Sequence, residues 1–224
     1  MGIELLDFDI GSETYEGRLT VQDEDADEGV VMVPGAGHGP FGNIFDIAAY
    51  ELAGDGKRVF RVETWESHEE LEAKTLGGLH EEVDATVDYL RSNGCSTVRV
   101  IAKSFGGGIA LSHVPDAVDS LLLWAPAVDV GVDAAAANDP EEAIGEGEDL
   151  LIGIEEIEVD VPVRILVGDE DRGVSVDDCQ RIADAVDDGD VTVIPGENHS
   201  FNENRTAVVD HTLRYLSTES YSRN

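Results

Sequence analysis

The chemistry in this 224-residue chain is concentrated in one serine, one histidine and a short run of acids. Ser104 lies in the run Val100-Ile101-Ala102-Lys103-Ser104-Phe105-Gly106-Gly107-Gly108. An apolar lead-in followed by glycines is the pattern of a buried strand that turns sharply into a helix with a hydroxyl at the bend. Such a bend crowds its neighbours, so small residues are needed two positions before and two after the serine. Ala102 and Gly106 stand there. A serine hydroxyl is a weak nucleophile until a base takes its proton, and the base needs an orienting acid. With a nucleophile on a strand-turn-helix, the acid and then the base follow in chain order, on loops after later strands. Val163-Arg164-Ile165-Leu166-Val167 leads to Gly168-Asp169-Glu170-Asp171, and Val191-Thr192-Val193-Ile194 leads to Pro195-Gly196-Glu197-Asn198-His199-Ser200-Phe201. The competing reading makes Ser104 an ordinary helix N-cap. It gives no reason for the acids and the histidine to follow in that order.

These loops need a sheet to hold them. Residues 3–9 and 14–21 read as two strands joined at Gly11-Ser12 with no helix between, which makes them an antiparallel hairpin at one edge. Val30 to Val33, Arg58 to Val62, Val98 to Ala102, Ser120 to Trp124, Val163 to Val167 and Val191 to Ile194 read as six more. Several are wholly apolar, as in a sheet covered on both faces. Helical spacing falls at 43–54, 76–92, 106–113, 176–187 and 203–217. This alternation predicts the α/β class: a mostly parallel eight-stranded sheet with right-handed crossovers and helices on both faces. Residues 1–224 are expected as one domain. About 127–158, rich in Ala, Glu and Gly, breaks the rhythm after the sixth strand and is expected as a small cap-like insert over the serine.

Composition narrows the partners. Asp and Glu number 49 against 14 Lys and Arg, for a net charge of −35, and the only lysines are Lys57, Lys74 and Lys103. Such a surface repels nucleic acid and anionic membrane, so neither is expected as a partner. Self-repulsion fades as salt shortens the screening length to about 3 Å near 1 M. The acid-rich, lysine-poor surface resembles that of proteins from salt-accumulating (halophilic) microbes. No apolar window reaches about 18 residues, so no membrane span is expected. The first ten residues carry Glu4, Asp7 and Asp9 and lack the basic and apolar regions of a secretory signal. Cys95 and Cys179 make no disulfide framework, and both are expected reduced in a cytoplasmic protein.

The order and spacing of these features resemble the α/β-hydrolase superfamily over nearly the whole chain. That family's acid stands three residues after the strand-ending glycine, which maps onto Asp171, with Asp169 next in line. Its histidine is commonly followed by a small residue and Phe, as in His199-Ser200-Phe201. The resemblance implies a Ser104-His199-Asp171 triad and an oxyanion hole of two backbone N–H groups. One belongs to Phe105. The other comes from the loop Pro34-Gly35-Ala36-Gly37-His38-Gly39-Pro40, where Ala36 aligns and Gly35 and Gly37 compete. Pro34-Gly35 departs from the family's common His-Gly; His38 is either an ordinary loop residue, or replaces some of those contacts, or lines the substrate pocket. Trp124 is a second pocket candidate, although an aromatic at a strand end is at least as often core, and Lys103 is expected to face solvent or to be ion-paired. Neither cofactor nor metal is implied. The resemblance implies cleavage of a small to medium carboxylic ester through an acyl-enzyme, as in the compact dienelactone-hydrolase-like and small esterase members. The expected partners are a small-molecule ester and a second copy of the chain in a homodimer. The alternatives are an amide or thioester hydrolase with the same triad, and a non-catalytic binding protein on the same fold.

Two other motifs compete for attention. Gly37-His38-Gly39-Pro40-Phe41-Gly42 matches GxGxxG between a strand and a helix, and Glu63 ends the next strand as a ribose-binding acid would. Against a dinucleotide, Pro40 stiffens the loop and lacks an N–H, and the motif follows the third strand, not the first. Asp23-Glu24-Asp25-Ala26-Asp27-Glu28-Gly29 has the acid density of a calcium loop. Its glycine comes one place late, and Pro34 stands where the bidentate Glu belongs, so a solvated turn is expected. No zinc-ligand spacing occurs.

Overall fold

A computed structural model describes residues 2–128 and 153–218 of the chain. Among them, eight strands form one sheet in the order β1-β2-β4-β3-β5-β6-β7-β8. They are β1 (Gly2–Ile10), β2 (Glu13–Val21), β3 (Glu28–Val33), β4 (Lys57–Glu63), β5 (Thr97–Lys103), β6 (Ser120–Trp124), β7 (Val163–Gly168) and β8 (Gly189–Ile194). The β1–β2 hairpin is antiparallel and joins the sheet by antiparallel pairing of β2 with β4. Every other pairing is parallel. The expected mostly parallel sheet with an N-terminal hairpin is therefore the observed one.

Helices α1 (Asn43–Gly54), α2 (His68–Glu72), α3 (Leu76–Ser92), α4 (Phe105–Ser112), α5 (Val176–Asp184) and α6 (Arg205–Thr218) cover it. Consecutive residues of β4 show that both faces are occupied, because side chains alternate along a strand. Phe60 stacks on Tyr89 of α3 at 4.3 Å, while Arg61 ion-pairs with Asp46 of α1. α1 packs on α6, and α3 on α4. The interior strands carry the core: Val30, Val59, Val98, Ile101, Leu122, Leu123, Val163 and Ile165 are fully buried.

Two elements differ from expectation. α2 has only five residues, too few for a periodic signal, and is started by Ser67, whose Oγ accepts the Glu70 N–H at 3.3 Å. α5 stops at Asp184, short of 187, because the chain must turn at Gly189 to enter β8 close beneath the Ala183 carbonyl. Of the expected insert, 129–152 lies outside the described residues, and Ile154–Glu156 forms a short 3-10 helix.

Candidate active site

Ser104 occupies the junction of β5 and α4 with φ 51° and ψ −120°. A residue other than glycine rarely adopts that conformation, which costs about 1–3 kcal/mol and persists only where its surroundings impose it. Here they do. The Ser104 N–H donates to Trp124 O at 2.9 Å, and Ser104 O accepts from Gly107 N at 2.8 Å and Ala127 N at 2.9 Å. Gly106 lies against the Pro34 carbonyl and Val33, where a Cβ would collide with both. A Cβ on Gly107 would meet Pro126 at 2.6 Å. The small residues around Ser104 are thus what lets β5 turn straight into α4. That helix is buried on every side from Phe105 to Leu111.

His199 and Asp171 reach the serine from the loops after β8 and β7. His199 Nε2 lies 2.9 Å from Ser104 Oγ, and His199 Nδ1 lies 2.9 Å from Asp171 Oδ2. The other Asp171 oxygen, Oδ1, accepts the N–H groups of Gly173 at 2.9 Å and Val174 at 2.8 Å. A carboxylate has no proton to give, so Nδ1 of the neutral ring donates to Asp171 and Nε2 is left to accept from the serine. The Asp171 side chain is 0% exposed and that of His199 34%, while Ser104 is 7% exposed as a residue. The chain from acid to hydroxyl therefore runs from the interior to a partly open surface.

Three contacts lock the two loops together, and two of them involve acids beside the candidate triad. Asp169 Oδ1 accepts the Gly196 N–H at 2.6 Å, which ties that carboxylate to the backbone and leaves Asp171 as the acid on His199. Glu170 N donates to Glu197 O at 3.0 Å, and Gly168 passes so close to that carbonyl that no Cβ fits. Glu197 itself was missed by sequence reasoning. Its carboxylate is 0% exposed and accepts the N–H groups of Asn198 at 2.8 Å, Glu203 at 3.1 Å and Asn204 at 2.7 Å. The loop carrying His199 is wrapped around this one side chain. No local signal marks it, since Glu197 lies well ahead of α6 and its partners are backbone N–H groups.

The Pro34–Pro40 loop runs beside the serine. A Cβ on Gly35 would lie 3.2 Å from Ser104 Cβ and 3.8 Å from its Oγ. Ala36 is buried, as is Phe105. This loop is pinned from outside by Trp65, whose Nε1–H donates to Gly35 O at 3.1 Å. Trp65 also escaped sequence reasoning, since nothing local announces a bond to a residue thirty positions earlier. His38 is exposed. The Trp124 side chain is fully buried, 5.6 Å from the Phe45 ring and 5.9 Å from Phe201, so it belongs to the core behind the serine. Lys103 is neither solvent-facing nor ion-paired with any described carboxylate. It is half-buried, with its ammonium 5.7 Å over the Phe201 ring. Glu63 packs against Gly39 in the GxGxxG loop, and burial with nearby Glu66 and Glu16 raises its carboxyl above the usual range.

No protein-family model matches the chain. No curated protein matches it either. Solved structures do. Est1E from Butyrivibrio proteoclasticus superposes with a TM-score of 0.74 at 16% identity, covering 97% of this chain and 98% of its own. Dienelactone hydrolase from Anabaena variabilis gives 0.72 at 17% identity, covering 97% of each. The Pyrococcus furiosus esterase Pf2001 gives 0.73 at 15%, covering 97% and 90%. This chain has the α/β-hydrolase fold.

In this α/β-hydrolase sheet, Ser104, Asp171 and His199 all stand just beyond the carboxyl ends of parallel strands β5, β7 and β8. Open α/β sheets bind ligands at that edge. Among the described residues no cluster of three or more His, Cys, Asp or Glu has the arrangement to hold a metal, and no helix is long and apolar enough to cross a membrane. Cys95 and Cys179 are buried and unbridged.

Proposed function

We propose that this chain is a serine hydrolase that cleaves small to medium carboxylic esters through an acyl-enzyme. The observation that carries the reading is the continuous hydrogen-bonded chain from Ser104 through His199 to Asp171, with the serine held in a strained conformation. Ser104 Oγ attacks the ester carbonyl as its proton passes to His199 Nε2, and Asp171 holds the imidazolium. The tetrahedral oxyanion is received by the N–H groups of Phe105 and Ala36. Collapse expels the alcohol, which takes the proton from His199. Water, activated by the same imidazole, then releases the acid. No step calls on a cofactor. The likeness to esterase structures supports this reading at the level of fold. A panel of nitrophenyl esters against matched anilides tests it. Ester turnover well above anilide turnover is expected, and the reverse order would favour an amidase.

Trp65 supports the oxyanion assignment through the planarity of the peptide bond. In a trans peptide the carbonyl and the following N–H point in opposite directions. By holding the Gly35 carbonyl, Trp65 fixes the direction of the Ala36 N–H. Trp65→Phe keeps the ring and loses the donor. We expect kcat to fall about tenfold with little change in KM, because the donor acts on charge that develops only in the transition state.

The charge of −35 supports a cytoplasm rich in salt as the working environment. The melting temperature is expected to climb steeply as KCl rises from about 0.1 M to about 2 M, where screening becomes short-ranged. A flat response would remove this part of the reading.

A further inference from the structure

Helical spacing turns one side of α3 inward, and Leu79, Val83, Thr86 and Leu90 lie on it, all buried. Glu82 lies on it as well and is 9% exposed. Its two oxygens are used differently. Oε1 accepts from the Lys74 ammonium, whereas Oε2 is buried with no hydrogen-bond partner among the described residues. A buried carboxylate oxygen left unpaired is costly, and such groups are ordinarily satisfied by protein or by ordered water. Glu82 lines a cavity between α3, α4 and the carboxyl ends of β3 and β4. Every residue around it is buried. Its walls are mostly apolar, with Val83 and Ile109 among them, and the hydroxyl-bearing residues are Thr64 and Thr86. The cavity volume is about 20 Å³. A water molecule needs about 10–15 Å³ on that measure, and two to four polar partners.

We propose that this cavity is the binding site of a single ordered water molecule anchored by Glu82 Oε2. The hydrogens available decide its bonds. The Thr86 hydroxyl already donates to Val83 O at 2.8 Å, so its oxygen is left to accept. The water gives one hydrogen to Glu82 Oε2 and the other to Thr86 Oγ1, and it accepts the hydroxyl hydrogen of Thr64. Three bonds is the usual number for a buried water. Other occupants suit the place less well. An apolar molecule leaves Oε2 unpaired, and an anion meets a carboxylate. An alkali cation brings charge to a carboxylate that already has Lys74 as its counter-ion. Trp65 lines the same cavity, and its Nε1–H holds Gly35 O. The water therefore fills the space behind the side chain that pins the loop beside Ser104. None of this depends on Ser104 being a nucleophile.

High-resolution crystallography of the full chain in molar KCl tests this, with added arms under xenon pressure and after exchange of KCl for RbCl. Polar cavities hold water, whereas apolar ones stay dry and take up xenon. In wild type one water is expected within about 2.5–3.0 Å of Glu82 Oε2, with neither xenon nor rubidium beside it. Glu82→Gln keeps a polar group toward the cavity. Its oxygen accepts from Lys74 and its NH2 group donates to the water, so the water is expected to stay. Glu82→Met keeps the length of the side chain and loses the anchor. Occupancy of the water is expected to fall from nearly full to near zero, and xenon to enter. A wild-type cavity without water at Oε2, whether it takes xenon, rubidium or neither, overturns the proposal. A water that persists in Glu82→Met overturns it too, since Glu82 would not be its anchor. If Glu82→Met does not fold, wild type and Glu82→Gln still decide: water in both supports the site, and its absence from either overturns it.

Discussion

Asp171→Asn is expected to lower kcat/KM on an ester about ten-thousandfold while leaving the fold intact. The reason lies in how the two Asp171 oxygens are used. Oδ1 accepts from the backbone of Gly173 and Val174, and Oδ2 accepts from His199 Nδ1. Asparagine has one acceptor oxygen and one NH2 group. Two backbone N–H groups claim the oxygen, so the NH2 group turns toward His199. It donates to Nδ1 and forces the ring's proton onto Nε2. That nitrogen can then no longer accept the proton of Ser104. The shape of the site is kept and its tautomer is wrong. Steady-state kinetics with a circular dichroism spectrum checks this. Full activity in the Asn variant would mean that Asp171 does not orient His199.

Glu197→Ala is expected to lower stability by about 3 kcal/mol and to cut turnover as well. Three backbone N–H groups meet at this fully buried carboxylate. Alanine leaves them without their acceptor in a place water does not reach. Hydrogen bonds to a charged group are among the stronger ones, and unsatisfied buried donors are costly. For a chain of this size the loss corresponds to a fall in Tm of about 6–12 °C. Glu197→Gln retains one oxygen and should fall between. Both effects have one origin, because the same loop carries His199 and starts α6. Thermal melts in high KCl, with kcat measured well below the Tm, separate the two. An Ala variant that melts with wild type would show that the loop does not depend on Glu197.

Much of the site was legible in the sequence because its requirements are local. Ala102 and Gly106 answer a steric demand within four residues of Ser104, and the apolar runs at Val30, Val98, Ser120 and Val163 announce the strands that end there. The choice between Asp171 and Asp169 was not a local matter. Resemblance to a family pointed to Asp171, and the physical reason emerged only in three dimensions, where Asp169 is already bound to Gly196. Trp65 and Glu197 act on backbone groups, and a backbone N–H or carbonyl carries no residue identity for a sequence to display. Lys103 was misread because a charged residue at a strand end ordinarily reaches water, whereas alternation along β5 sets it in register with Trp124 and over Phe201. Trp124 stood open between pocket wall and core, since an aromatic at a strand end is at least as often core, and the structure puts it in the core. Its side chain is enclosed by Phe45 and Phe201.

The central claim is that Ser104 is a nucleophile made reactive by His199 and Asp171. A fluorophosphonate reports that property directly, since it forms a covalent bond only with an activated serine and does not require the natural substrate. In molar KCl the folded wild-type protein is expected to take up one phosphonyl group on the peptide containing Ser104, and Ser104→Ala is expected to take up none. An unlabelled, well-folded wild type, or labelling that persists in Ser104→Ala, would contradict the account.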